Sequence, residues 1–110
     1  MSGVTTLWAQ HTRLTAVEGR RDDLVAKFNE VPELQRGNAA HVLTMVGTSG
    51  VGGVSVTEVW TSEAAHEAAT HSDAVAAWAE GMDGLIVGQP SSEQFLVVGG
   101  NVLDDHRAPG

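Results

Sequence analysis

The pattern of apolar and polar positions switches between two periods along the chain. Residues 4 to 15 (Val-Thr-Thr-Leu-Trp-Ala-Gln-His-Thr-Arg-Leu-Thr) are rich in β-branched side chains and alternate loosely, which predicts a first strand. From Glu18 to Phe28 the period lengthens. Leu24, Val25, Phe28 and Val31 recur at helical spacing with charged residues elsewhere, which predicts an amphipathic helix. Pro32 breaks or kinks that helix unless it opens a second short turn, and Gly37-Asn38 is the expected stop. Alternation returns in His41–Val46 and in Val54–Trp60. The latter sets Val54, Val56, Glu58 and Trp60 on one face against Ser55, Thr57 and Val59 on the other.

Between these two strands lies Gly47-Thr48-Ser49-Gly50-Val51-Gly52-Gly53. A phosphate-binding loop would need Gly-Lys-Ser/Thr and a following helix; a strand follows instead, so this segment reads as a hairpin connection. Thr61 or Ser62 caps a second helix, with Glu63 in its positive first turn. That helix is expected to run to about Glu80 and stop at Gly81. Ala65, Ala68, Ala69, Ser72, Val75, Ala76 and Ala79 give it a small-residue face that can lie close to a sheet. One further turn is expected within Met82–Val87, ahead of Gly88-Gln89-Pro90. A last strand is expected over Phe95–Leu103, bulged or bent at Gly99-Gly100.

The order β-α-β-β-α-β is the split βαβ, ferredoxin-like α+β arrangement, a four-stranded antiparallel sheet with helices on one face. Residues 1–103 form one domain and 104–110 a polar tail that ends in Pro-Gly. A chain of 110 residues buries at best about two thirds of its surface. The uncovered sheet face is expected to carry enough Val, Leu and Trp to need a partner, so the expected state is a homodimer with sheets packed face to face.

Composition narrows the function. The formal charge of −8, with only six Lys and Arg, argues against nucleic-acid binding. The absence of cysteine excludes disulfides, thiolate metal sites and thiol nucleophiles. No apolar run reaches the about 20 residues that span a bilayer. Met1–Gln10 lacks the basic start and apolar stretch of a signal peptide, so the cytoplasm is the expected location.

The residues richest in chemistry cluster at the junction Glu58-Val59-Trp60-Thr61-Ser62-Glu63-Ala64-Ala65-His66. Trp60 is either a core or dimer-interface anchor or the wall of a cleft whose indole N–H meets a substrate oxygen; the two roles are compatible. Glu58, on the same face, either pairs with Arg13 or another surface cation, the favoured reading, or takes a phenolic proton. His66, one turn into the helix, is a polar flank residue or a base with a pKa near neutrality. His71 lies about 140° around the helix and faces solvent. His11 and His41 lie on strands that neighbour the cleft, and either can point inward. No His-x-His or His-x-x-x-His pair supports a metal site. Trp78 and Met82, one turn apart, are core residues or walls of an aromatic pocket.

The same residues carry a resemblance. Glu18-Gly19-Arg20-Arg21-Asp22-Asp23-Leu24 resembles the glycine, basic pair, acid, leucine pattern of the antibiotic biosynthesis monooxygenase (ABM) family. Glu58 to Ala65 is similar to its Glu-x-Trp-x-Ser-x-x-Ala stretch, and Asp83–Gly88 sits where many members have Pro-Leu-Ile. The resemblance covers roughly Val4 to Val102. It implies a dimeric α+β barrel and a monooxygenase that oxidises a quinol, phenol or anthrone-like aromatic with dioxygen, without metal, flavin or other cofactor. On that reading His66 and Trp60 are the catalytic pair, and His11, His41, Glu58, Trp78 and Met82 contact substrate. Many members have a histidine where this chain has Ala69, while His66 stands where an apolar residue is common. Ala69 and Ala79 replace the Trp and His of the haem-degrading branch, and the first strand offers no matching Asn, so haem degradation is not expected. The rival reading is a small-ligand-binding dimer, or an isomerase or lyase, on the same scaffold.

Overall fold

A computed structural model describes residues 6–104. The elements are β1 (Leu7–Ala16), α1 (Arg21–Phe28), α2 (Val31–Leu34), β2 (His41–Ser49), β3 (Gly53–Trp60), α3 (Glu63–Thr70), α4 (Asp73–Glu80), β4 (Ile86–Val97) and α5 (Asn101–Asp104). The four strands form one sheet in the order β2-β3-β1-β4, and every neighbouring pair is antiparallel. This is the ferredoxin-like α+β topology. The proposed tail lies almost wholly outside the described residues.

Register sorts the side chains. The pairs Trp8↔Trp60, Gln10↔Glu58, Thr12↔Val56 and Leu14↔Val54 put the even-numbered residues of β1 and β3 on the helix-covered face. One half of that face is apolar. Leu14, Ala16, Val54 and Val56 meet Leu24 and Phe28 of α1, Val31 of α2 and Leu85 in a continuous core. Each of these larger side chains contributes about 1.5–3 kcal/mol by leaving water. The other half carries indoles, amides and hydroxyls, and the candidate site lies there.

Pro32 falls in the first turn of α2, where a missing N–H costs nothing, so it opens a short helix rather than kinking α1. The β2–β3 ladder extends as far as Ser49↔Gly53, leaving a tight turn at residues 50–52. Glycine is required at position 53, because a Cβ there would come within 2.6 Å of the Ser49 carbonyl oxygen.

Three expectations need correction. The long second helix is two helices. Thr70 Oγ1 and His71 Nδ1 both donate to the Glu67 carbonyl (2.7 Å each), and the Ser72 hydroxyl then accepts from Val75 N–H at 3.1 Å and starts α4. Local side-chain bonds overrode the small-residue periodicity. No residue of α3 or α4 is fully buried, so the alanine face is only lightly seated on the sheet. The last strand begins at Ile86, runs through Pro90 on the sheet edge, and ends at Val97; Asn101–Asp104 is a helical turn, not strand.

The uncovered sheet face also differs from expectation. Trp8 and Trp60 both point to the helix side. The uncovered face is formed by Leu7, Ala9, Leu43, Val59 and Val97, partly capped by Leu103 of α5, with Met45 and Phe95 left 58% and 44% exposed. A polar strip of His11, Arg13, Thr57 and Glu93 crosses it.

Candidate functional site

Trp60 is the centre of the site. It ends β3, is 1% exposed, and sits between Trp8 of β1 and His41 of β2 in one row across three strands. The next row is Gln10, Glu58 and Thr44. A register shift between His41 and Leu43 makes this possible. One extra residue on β2 returns His41 to the face of Thr44, and His41 Nε2 lies 2.8 Å from Thr44 Oγ1. The His41 ring meets the Trp60 ring edge-on, with centroids 5.1 Å apart. Trp60 Nε1–H donates to Glu58 Oε1 at 3.3 Å.

Helix α3 supplies the roof. Ser62 caps it by accepting from Ala65 N–H at 3.1 Å, which fixes where the first turn begins. His66 then reaches down onto the aromatic row. Its imidazole lies 4.7 Å from the Trp8 ring at 33°, and 5.4 Å from the Trp60 ring at 72°. Two indoles therefore hold one imidazole from adjacent sides.

Helix α4 closes the side wall. Trp78 packs edge-on against Phe28 at 5.3 Å, and its Nε1–H donates to the Lys27 carbonyl at 2.7 Å, tying α4 to α1. Among the residues around the resulting cleft are Glu58, Trp60, His66 and Trp78, with Val31 and Leu34 of α2 as its apolar floor. The cleft is open on one side, and its volume is about 70 Å³.

The structure thus brings Glu58, Trp60, His66 and Trp78 to one cleft, with His41 behind Trp60. It does not bring His11 or Met82 there. His11 points to the uncovered sheet face, where its Nδ1 lies 2.8 Å from Thr57 Oγ1, and Met82 packs into the apolar core. Arg13 shares the face of His11, so it cannot pair with Glu58. Among the described residues no Lys or Arg forms an ion pair with Glu58. Sequence reading missed Trp8, whose indole contacts His66 directly. Its even position in β1, in phase with Leu14, was the available signal. No group of three or more His, Asp or Glu among the described residues is placed to hold a metal ion, and no helix there is long and apolar enough to cross a membrane.

Burial lowers the His41 pKa below its ordinary value, and the nearby Glu58 carboxylate only partly offsets this. Burial therefore favours the neutral imidazole. Its folded pKa lies below the unfolded value of about 6.5, so the unfolded chain binds the extra proton first as pH falls. His41 thus subtracts stability as pH drops through about 6.5 toward its folded pKa, and has no such effect above. We expect urea midpoints measured from pH 7.5 to 5.5 to fall less steeply in His41→Gln than in the unmodified protein; equal slopes would remove His41 from the pH dependence.

The sequence model of the family described as antibiotic biosynthesis monooxygenase matches residues 8–81, well over half of the chain and all of the cleft's aromatic residues. The chain belongs to this family. Among solved structures, it is similar to a Chloroflexus aurantiacus protein proposed to be an antibiotic biosynthesis monooxygenase (21% identity, TM-score 0.75, covering 88% of this chain and 98% of that one). It is also similar to a Nitrosomonas europaea protein of unknown function (18%, TM-score 0.74, 88% and 94%). A third is a Caulobacter crescentus protein proposed to be an antibiotic biosynthesis monooxygenase (16%, TM-score 0.73, 84% and 90%). At these identities the structural likeness speaks for the ABM fold alone. No curated protein matches the chain.

Proposed function

We propose that this ABM-family chain is a cofactor-independent monooxygenase that oxidises an electron-rich phenol, quinol or anthrone-like aromatic with dioxygen. The observation that carries the proposal is the His66 imidazole, held against Trp8 and Trp60 at the wall of a largely apolar cleft. The aromatic ring lies along the indoles, and His66 accepts the acidic proton. The resulting carbanion or phenolate gives an electron to dioxygen. The two radicals then combine into a peroxide, at the deprotonated carbon of a carbanion or at a ring C–H ortho or para to the oxygen of a phenolate. In the phenolic case that carbon loses its hydrogen and water departs, so a phenol and O₂ yield a quinone and water. For an anthrone-like CH₂ the balance closes when that carbon becomes a carbonyl: R₂CH₂ and O₂ yield R₂CO and water, with His66 returning its proton to the departing oxygen. The substrate supplies the electrons. The protein orients it and excludes water.

Oxygen-electrode measurements with phenols, hydroquinones and anthrones, using chelator-treated protein, test this reading. We expect uptake of one O₂ per substrate, insensitive to chelator. Binding without uptake supports the ligand-binding alternative; product formation without uptake supports an isomerase or lyase.

The proposal includes a homodimer. Met45, Phe95, Leu43 and Val97 form an apolar surface that a second copy can cover, and edge strand β4 is exposed along almost its whole length. We expect sedimentation velocity to give twice the chain mass of 11.5 kDa. Placing Asp at both Met45 and Phe95 is expected to halve it. A monomer in the unmodified protein would contradict the dimer.

A further inference from the structure

The chemistry of the cleft also restricts its occupant. We propose that the cleft selects a single-ring phenol or hydroquinone bearing an amine, and disfavours carboxylated and fused tricyclic analogues; this rests on the reading of the cleft as the substrate site.

Size comes first. The cleft volume, about 70 Å³, is about half the ~150 Å³ that holds a benzene molecule in a dry protein cavity and well short of the about 300–1,000 Å³ of an ordinary ligand pocket. A single ring is therefore held partly in the cleft and partly in its open mouth. Three fused rings leave a much larger share outside the walls set by Trp60 and Trp78. Those walls are fixed: the Trp60 N–H is bonded to Glu58 and the Trp78 N–H to the Lys27 carbonyl.

Charge comes second. Among the described residues, Glu58 is the only acidic side chain around the cleft, and no Lys or Arg borders it. Among the described residues its one side-chain partner is the Trp60 indole N–H. The basic group nearest the Trp78 wall, Lys27 Nζ, is 3.6 Å from Glu30 Oε1 and 5.7 Å from the Trp78 ring centroid, and is engaged with both. His41 stands behind Trp60, and burial holds its pKa below the ordinary value, which disfavours its charged form. An ammonium group entering from the mouth therefore meets the partly exposed Trp78 indole and one carboxylate with no basic partner among the described residues, the combination that attracts organic cations. A carboxylate entering there meets Glu58 with nothing to offset the repulsion. The formal charge of −8 extends the same preference outward from the cleft.

Anaerobic titrations followed by tryptophan fluorescence test the preference without turnover. The probes are a hydroquinone with an aminoethyl arm, the same ring with an acetate arm, and anthrone. We expect the amine to bind about tenfold more tightly than the acetate, a figure discounted because Glu58 is only partly buried. The gap should narrow with added salt and shrink to less than about threefold in Glu58→Gln, which keeps an acceptor for the Trp60 N–H. Anthrone should bind more weakly than the amine. Equal or reversed affinities, or a gap indifferent to both salt and Glu58→Gln, would overturn the proposal. Should Glu58→Gln fail to fold, the ranking and salt response of the unmodified protein decide. Oxygen uptake is read separately: tight amine binding without uptake defeats the monooxygenase reading and leaves the ligand class standing.

Discussion

His66→Ala is expected to lower the turnover number by about 10²–10⁴-fold, the usual contribution of a positioned general base. Substrate affinity should change by less than about threefold, because the ring is bound mainly by indoles and by Val31 and Leu34. The expectation follows from geometry. Among the described residues His66 is the only imidazole around the cleft, whereas His41 stands behind Trp60 and His11 lies across the sheet. The other base within the cleft is Glu58, which is occupied by the Trp60 N–H. Stopped-flow or oxygen-electrode rates, set beside fluorescence affinities, separate the two effects. His66→Gln keeps the size and polarity of the side chain but cannot take a proton near neutrality. It should be as slow as the alanine variant. Unchanged turnover in both variants would remove His66 from the chemistry and transfer attention to Glu58.

Trp60→Ala is expected to cost about 3–5 kcal/mol of stability, the range for truncating a buried large aromatic. Trp60 is 1% exposed, so almost its whole surface is withdrawn from water. Its loss would also remove the contact surface of His41 and His66 and the hydrogen bond to Glu58. Small domains are stable by only about 5–15 kcal/mol, so this substitution places the fold near its limit. Thermal unfolding should move down by more than about 12 °C. Trp60→Phe keeps a ring and gives up the indole N–H, so a milder loss of about 1–2 kcal/mol is expected. A Trp60→Ala protein as stable as the unmodified one would mean that the aromatic row is not the structural centre of the site.

The sheet was legible because its strands alternate. Val54, Val56, Glu58 and Trp60 were assigned to one face from spacing, and that is where register puts them. Helix α1 was legible from Leu24 and Phe28. Less was readable after Trp60. The alanines of α3 and α4 suit one long helix, and only the bonds from Thr70 and His71 to the Glu67 carbonyl, with Ser72 recapping the chain, divide it. In β4 the residues from Gly88 to Ser92 lack the β-branched side chains that announce a strand; Ser91 and Ser92 are held by pairing with β1, while residues 88–90 fall at a register shift, with Gly88 at φ 71°. Of the candidate site, Glu58, Trp60, His66 and Trp78 could be found because they sit on phase-defined faces of strand and helix. His11 and His41 were not told apart, because the parity of β1 was not tied to Leu14 and the parity of β2 is broken by a register shift. One extra residue in β2 turns His41 toward the helices, and an odd position in β1 turns His11 away. Trp8 escaped notice for lack of a motif, although the residue opposite it is Trp60.

The central claim is that substrate sits between the helices and the sheet, under His66. Proton NMR of the histidine rings and indole N–H groups during anaerobic titration with a hydroquinone tests it directly, since the chain has only five His and three Trp to resolve. We expect the resonances of His66, Trp60, Trp78 and Trp8 to shift together with one dissociation constant, while His11 and His71 stay in place. Movement of His11 with the His66 and tryptophan signals unchanged would locate the ligand on the opposite sheet face and contradict the account.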